Sequence, residues 1–412
     1  MKKRKIIFIN RFYYPDQSAT SQILTDLLGN ITNKVDADFH VVASRSTYQN
    51  DTQLVPNERH NGVNIHRVWT TSFGRNRLSG RAIDYLSFYV STFFMLMVLV
   101  ARNDIVIAKT DPPIISFFAY VVARLKRAYL INWLQDLFPE VAGELGMIKK
   151  DSLLYRILKK LKNKSLEAAD MNVVIGNRMA DLLLEQGVDT NKITVIRNWS
   201  VNKNIEYVPK ESNHLVKEWG LSGKFVICYS GNFGLAHEYE PIKNLVSNVI
   251  DENVVFLFIG GGKYYDKLMS YVKAKGLKHV IFKPYQDAEY LNYSLSVADI
   301  HIVSLNPALE GLIVPSKFYG VASLGIPVLF VGDKDGEIAS VINKNNCGYI
   351  VDPVNYALIA KSVTKYIKNR QELAVMGGNI HDLYAKQYQP GVSYNIWLKV
   401  LLSKAMLCGS DM

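Results

Sequence analysis

The sequence predicts an α/β protein with two doubly wound parallel sheets, and three observations carry that expectation. At 412 residues, 49% of them hydrophobic, the chain can fill two cores of roughly 200 residues each. Apolar runs rich in β-branched residues alternate with helical stretches through both halves, the pattern of strands buried on both faces. Neither half contains a low-complexity tract or a short repeat, so the alternation runs uninterrupted.

Taken in order, the first half places strands at Lys5–Asn10, Phe39–Ala43, Ile105–Lys109, Tyr129–Trp133, Asn172–Ile175 and Thr194–Arg197. The second places them at Phe225–Ser230, Val254–Ile259, Val280–Lys283, Ile300–Ser304, Val328–Val331 and Gly348–Val351. A polar, basic stretch at Ser200–Ser212, with Pro209, is the expected linker, giving domains at residues 1–200 and 201–387. Residues 388–412 follow, with a helix expected over Tyr388–Met406 that carries Trp397, Leu401 and Leu402. Ligands of open parallel sheets sit beyond the carboxyl ends of the strands, so chemistry is sought just after each strand, and facing sheets would place a site in the cleft between them.

Composition narrows the partners. The formal charge of +11 is scattered, which argues against a nucleic-acid groove and suits an anionic membrane surface or anionic substrates. Cys228, Cys347 and Cys408 share no metal-ligand spacing, and three cysteines make no disulfide framework, so a reducing, cytoplasmic setting is expected. The basic start imitates a signal peptide, but its apolar run stops at Asn10-Arg11, short of the ~7–15 residues such a segment needs. Tyr85–Ala101 carries no formal charge, yet it is shorter than the ~20 residues that span a bilayer and is diluted by Ser87, Ser91 and Thr92. It reads as a buried or interfacial helix. Arg75, Arg77 and Arg81 precede it, and Arg156, Lys159, Lys160, Lys162 and Lys164 interleave with Leu158 and Leu161, which favours an anionic leaflet over a merely solvated face.

The strand-end motifs carry the chemistry. Ser18 and Ala19 lead from the first strand into a helix, either as a plain N-cap with Thr20 or as a turn that aims amides at a phosphate. Asp136 follows a strand and is placed either to orient or deprotonate an acceptor hydroxyl or to cap a helix or pair with a cation. In the second half, Ser230-Gly231-Asn232-Phe233-Gly234 with His237, and Lys283-Pro284-Tyr285-Gln286, each follow a strand. Glu310-Gly311-Leu312, then Ser316-Lys317, set an isolated carboxylate, a glycine turn and a lysine where a strand runs into a helix, a position that favours phosphate. Arg197 is a further candidate phosphate cation. Gly260-Gly261-Gly262 lacks the spacing of a phosphate or dinucleotide loop, Asp333-Lys334-Asp335 falls after a late strand, and no His/Cys cluster suggests zinc. No metal or cofactor is expected.

These motifs, in this order and over nearly the whole chain, resemble the retaining GT-B glycosyltransferases of family 4, in particular the branch for bacterial O-antigen, capsule and exopolysaccharide assembly. The stretch from Glu310 to Val328 is similar to the family's glutamate, seven residues, glutamate motif, with Gly320 in place of the second glutamate. The stretch from Phe225 to Glu240 is similar to its donor loop, with Asn232 for an arginine and His237 for a lysine, and Ser18 and Ala19 stand where the family has paired glycines. The resemblance implies two Rossmann-like domains, the first for acceptor and the second for nucleotide sugar, with the terminal helix crossing back to the first.

It also implies that Gly231, Asn232, His237, Tyr285, Gln286, Gly311, Leu312, Ser316, Lys317 and Arg197 contact the donor, that Glu310 positions the sugar and that Asp136 orients the acceptor. Lys317, at a helix start, can supply part of the charge missing at Asn232 and His237. The implied reaction moves a sugar from a nucleotide-diphosphate donor, a UDP-sugar by preference, to a lipid-linked (polyprenyl diphosphate) saccharide with retention and without a metal. The implied setting is peripheral, on the inner face of the plasma membrane. Two alternatives are a non-catalytic GT-B partner subunit, suggested by the altered positions, and a sugar-nucleotide epimerase on the same scaffold.

Overall fold

Unbroken apolar runs form the sheet centres. The computed structural model describes residues 3–48, 53–74, 78–201, 206–353, 363–364, 367 and 369–406. Arg75, Arg77, Cys408 and residues 202–205 of the expected linker lie outside the described residues. The chain divides into one unit of Met1–Arg197 with Gly391–Met412 and a second of Asn198–Pro390.

The first unit holds β1 (Lys5–Ile9), β2 (Asp38–Ser44), β3 (Asn57–His60), β4 (Val63–Val68), β5 (Ile105–Lys109), β6 (Tyr129–Trp133), β7 (Met171–Val174) and β8 (Ile193–Val195). They form one sheet in the order β3-β4-β2-β1-β5-β6-β7-β8. Every neighbour is parallel except β3 and β4, which pair antiparallel across Asn61-Gly62, both at positive φ (47° and 80°). This edge hairpin departs from the expected all-parallel sheet, and its two-residue turn is the kind that Asn-Gly favours. The helices Leu78–Leu99 and Ile115–Lys126 cover one face, burying Phe88, Leu96, Ala119 and Val122 against Ile7, Ile9 and Val106.

The terminal helix Pro390–Met406 packs within this unit. Trp397 is fully buried, its ring 4.7 Å from that of Trp133 and 6.3 Å from that of Phe8. Ser393 Oγ donates to the Arg197 carbonyl (2.9 Å), and the Tyr394 hydroxyl donates to Asp26.

By length and composition, Gly80–Leu99 is sufficient to cross a membrane, with mean hydropathy 1.7. Asp84, Phe88, Thr92 and Leu96, four residues apart, point into the unit. Leu86, Val90, Phe94 and Val98, at the same interval, are exposed. On the helix Leu153–Ala168, Leu153, Leu154 and Ile157 are exposed, but Lys162 faces inward. Its amine donates to Glu140 (2.5 Å) and Gln186 (2.9 Å), so it is removed from the expected membrane-facing set.

The second unit holds β9 (Phe225–Asn232), β10 (Val254–Gly261), β11 (Val280–Lys283), β12 (Ile300–Ser304), β13 (Val328–Val331) and β14 (Gly348–Val351), all parallel, in the order β11-β10-β9-β12-β13-β14. Phe256, Phe258, Tyr229 and Phe233 dominate its core. Chain order reverses between β1 and β5 in the first sheet and between β9 and β12 in the second, the points at which such sheets bind ligands.

Replacing Trp397 with alanine removes the largest side chain joining the terminal helix to β1 and β6. The expected loss is about 3–5 kcal/mol, read as lost hydrogen-exchange protection in those two strands. Unchanged protection contradicts this packing account.

Candidate functional site

Two strands that part at their ends create the site of the second unit. β9 pairs with β10 as far as Asn232, but with β12 only at Ile227–Ile300 and Cys228–His301. Beyond that point loop atoms replace the ladder. The Glu238 amide donates to Ser304 Oγ (2.9 Å) and the Asn306 amide to the Ala236 carbonyl (2.9 Å). His237 Nδ1 lies 2.7 Å from the Ser304 carbonyl, which can only accept, so Nδ1 carries the proton and Nε2 is left as an acceptor.

Lys317, first residue of the helix Lys317–Ser323, fills the gap. Its Nζ donates to the Tyr229 hydroxyl (2.5 Å), the Asn232 carbonyl (2.8 Å) and His237 Nε2 (3.1 Å), and lies 4.4 Å from the centre of the Tyr229 ring. A Cβ on Gly231, which sits at φ 113°, would come within 2.6 Å of Lys317 Cε, so the close approach requires glycine. A Cβ on Gly262 (φ 118°) would overlap the Asn232 side chain, which gives the Gly260–Gly262 turn a role in shaping this edge.

Burial pulls the Lys317 amine down to about 7. Burial first, and then the Lys317 charge, pulls His237 down to about 3, so it is a neutral acceptor rather than a replacement cation. Within this cluster Lys317 is the one cation, in keeping with the expectation that charge is missing at Asn232 and His237. Burying the amine costs the fold most below about pH 7, where it must be charged. That cost fades as pH rises toward the ordinary lysine value of 10.5.

Glu310 and Gly311 sit in the loop between β12 and Lys317. Glu310 Oε1 accepts from the Glu337 amide (2.8 Å), at the first residue of the helix Glu337–Asn345. Its Oε2 is shielded from solvent with no protein partner. Burial is the main cause that raises its carboxyl, opposed by the Glu337 amide. A Cβ on Gly336 would overlap Oε2, so Gly336 makes room for the carboxylate. The Asp333-Lys334-Asp335 segment forms the turn below it, with Asp333 Oδ1 accepting from the Asp335 amide (3.0 Å). The Gly320 site is open: a Cβ placed there would have nothing within 4 Å, so no crowding explains the absent second glutamate.

Gly231, Asn232, His237 and Lys317 are therefore brought together, with Ser316 at the N-cap position of the same helix, its side chain making no cap bond, and Leu312 buried in the preceding loop. Tyr285 leans over Gly261, 3.2 Å from its Cβ position, and Gln286 folds back onto the Pro284 carbonyl (2.9 Å). Arg197 belongs to the first unit. Tyr229 and Gly336 carry no sequence signal of their own that would single them out. A cavity of this unit, about 400 Å³, lies at the amino ends of the strands beside Phe225, Asp299 and Pro327, away from these loops.

In the first unit, Asp136 lines a cavity of about 270 Å³ with Arg11, Tyr85, Thr110, Asp111 and Gln135. Burial pushes its carboxyl up to about 6, opposed by a hydrogen bond with Thr110, and Oδ1 has no partner. Ile114, β-branched, takes φ 67° beside the pocket, a conformation costing on the order of 1–3 kcal/mol. The Ser18 amide donates to Asp16 Oδ1 (2.7 Å) and the Tyr48 amide donates to Asp16 Oδ2. Ser18 thus gives its amide to Asp16 instead of a phosphate, and its hydroxyl makes no cap bond, whereas exposed Ala19 opens the helix Ala19–Ile31.

A family model described as glycosyl transferases group 1 matches residues 211–382, and one described as glycosyl transferase 4-like domain matches residues 33–199. The chain belongs to the family 4 glycosyltransferases. Among its relatives is "Probable glycosyltransferase WbjE" of Pseudomonas aeruginosa, 28% identical over 77% of this chain and 79% of that one. Another is "Putative colanic acid biosynthesis glycosyl transferase WcaI" of Escherichia coli K12, 24% identical over 60% and 61%. HepE of Anabaena, solved in complex with UDP and glucose, superposes with a TM-score of 0.71 at 14% identity over 97% of this chain and all of that one, and it shares the GT-B fold.

The Lys317 amine should titrate near 7, well below free lysines, in NMR spectra of the labelled side chain, while His237 stays neutral with its proton on Nδ1 throughout. A Lys317 midpoint near the ordinary lysine value of 10.5 contradicts the buried cluster.

Proposed function

We propose that this glycosyltransferase moves a sugar from a nucleotide-diphosphate donor, a UDP-sugar in the first instance, to a lipid-linked saccharide during assembly of a bacterial surface polysaccharide. The observation that carries the proposal is the presence, in one loop and the helix start that follows it, of the buried Lys317 amine and of a solvent-shielded Glu310 oxygen without a hydrogen-bond partner. Buried charge left in that condition is costly without a ligand, which weighs against a non-catalytic partner subunit. The names of WcaI, for colanic acid biosynthesis, and of the HepE complex, with UDP and glucose, support the pathway class and the donor class.

On this reading the donor lies on the second unit and the acceptor on the first. Lys317 and helix-start amides meet the charge that builds on the departing diphosphate, without a metal, and Glu310 accepts hydrogen bonds from the transferred sugar. The acceptor oxygen bonds to the anomeric carbon on the face from which the diphosphate oxygen leaves, retaining configuration, and the acceptor proton passes to the leaving phosphate oxygen. Asp136, ionised above about pH 6, accepts the hydroxyl's hydrogen bond and orients it. The exposed apolar rows of Leu78–Leu99 and Leu153–Ala168 support a peripheral seat on the cytoplasmic face of the membrane.

The test is transfer from UDP- and GDP-sugars to polyprenyl diphosphate-linked saccharides by the full chain. Lys317→Met and Glu310→Gln should each lower kcat by on the order of 10²–10³. The wild-type kcat/KM should rise as pH climbs through about 6, a limb that Asp136→Asn abolishes. No transfer from any nucleotide sugar, or variants as fast as wild type, would contradict the proposal.

A further inference from the structure

At the amino ends of the second unit's strands, on the side away from Lys317, lies the cavity of about 400 Å³, within the ~300–1,000 Å³ of small-molecule sites. Nothing in the proposed transfer uses it. Its floor is apolar, made by Phe225, Ile326, Pro327 and Leu373, all buried. Two stretches far apart in the chain complete it. One carries Tyr207, from the segment expected as a linker, which is tied down where the Val208 amide donates to Ser296 Oγ (3.1 Å) and Lys210 Nζ to Asp299 Oδ2 (2.5 Å). The other is the helix Arg370–Leu383, which contributes Arg370, Ala374, Gly377 and Gly378.

The two helix glycines differ in what they do. A Cβ on Gly377 would stand 2.7 Å from the Gly325 carbonyl oxygen, so glycine is needed there for the helix to approach the turn before β13. A Cβ on Gly378 would meet nothing within 4 Å, and its φ is not positive. Glycine inside a helix weakens it relative to alanine, and at Gly378 neither packing nor backbone conformation calls for it. Its effect is to keep one wall of the cavity bare.

The charges of the lining do not cancel. Lys210 neutralises Asp299, whose Oδ2 also accepts from the Val226 amide (2.7 Å), and Asp299 Oδ1 is left without a hydrogen bond. The Arg370 guanidinium, 5.8 Å from the centre of the Phe225 ring, makes no ion pair or hydrogen bond among the described residues. One uncancelled guanidinium beside an apolar floor matches a carboxylate on an apolar body, whereas a phosphate ester brings close to two charges.

We infer that the second unit has a separate binding site for a small organic monoanion, a carboxylic acid with an apolar body and a hydrogen-bond donor. Arg370 takes the carboxylate, the floor of Phe225 and Pro327 takes the body, and Asp299 Oδ1 accepts from the donor. This goes beyond the transfer reaction and does not rest on it.

Titration of 4-hydroxyphenylacetate and of its neutral amide, 4-hydroxyphenylacetamide, into the full chain at millimolar concentration, followed by NMR, tests the site. The acid should bind about tenfold more tightly than the amide, a preference that Arg370→Gln removes. Gly378→Leu, which fills the cavity from an exposed position, should weaken both at least about tenfold, and Lys317→Met should leave both unchanged. Gly378→Ala should raise the midpoint of thermal unfolding by about 2 °C. The inference is overturned if neither compound binds, if acid and amide bind alike, or if Gly378→Leu has no effect on binding. Loss of binding in Lys317→Met overturns it too, since the acid would then sit at the other end of the sheet. A lower unfolding midpoint in Gly378→Ala would give that glycine a structural role and remove the reason for reading the bare wall as a site.

Discussion

A single amine wedged where β9 and β12 part is the constraint on which the second unit's strand-end loops depend. Once those strands stop pairing after Cys228 and His301, loop groups take over: His237 donates to the Ser304 carbonyl, the Glu238 amide to Ser304 Oγ, and the Asn306 amide, from the loop after β12, to the Ala236 carbonyl. The imidazole is thereby fixed with its acceptor nitrogen toward Lys317. Glycine at 231 leaves room for the lysine to cross the strand end, and Tyr229 and Asn232 complete its shell. The hydrogen bonds of Lys317 go to a hydroxyl, a carbonyl and an imidazole rather than to a carboxylate. Such an amine is held near neutrality until an anion arrives.

The first unit solves a complementary problem by the same architecture. Its strand-order reversal places Arg11, Asp111 and Asp136 after β1, β5 and β6, on adjacent loops. Below them Lys109, fully buried, donates to the Thr20 carbonyl (2.6 Å) and lies 4.2 Å from the centre of the Trp133 ring. Trp133 in turn meets Trp397 of the terminal helix. The last helix of the chain therefore buttresses the floor on which the Asp136 loop stands, linking the packing residue Trp397 to the Asp136 pocket.

Much of this was legible in the sequence, for identifiable reasons. Ile105–Lys109, Tyr129–Trp133, Val280–Lys283, Ile300–Ser304, Val328–Val331 and Gly348–Val351 are strands over the expected residues, since the strands of parallel sheets read as short apolar runs even at the edges β11 and β14. The β3–β4 hairpin was missed because Asn57-Glu58-Arg59-His60 is polar, although Asn61-Gly62 was the available signal. Glu310, Lys317, Asn232 and Asp136 were recognisable from their places after strands. What they touch was not: Tyr229 and Lys317 lie 88 positions apart, and Glu310 meets an amide 27 positions away. The neutrality of His237 depends on burial beside Lys317, which no local pattern encodes. The same holds for Lys162, whose basic surroundings suggested a surface that its buried partner Glu140 denies it.

Proton uptake on nucleotide binding tests the central claim most directly. At pH 8 an amine with a midpoint near 7 is mostly neutral, and a diphosphate beside it must recharge it. Calorimetric titration of UDP and of GDP in two buffers of different ionisation enthalpy should show uptake of about one proton for the nucleotide that binds, lost in Lys317→Met along with most of the affinity. Binding with no proton uptake, or with the same uptake in Lys317→Met, would contradict the claim that this buried amine receives the diphosphate.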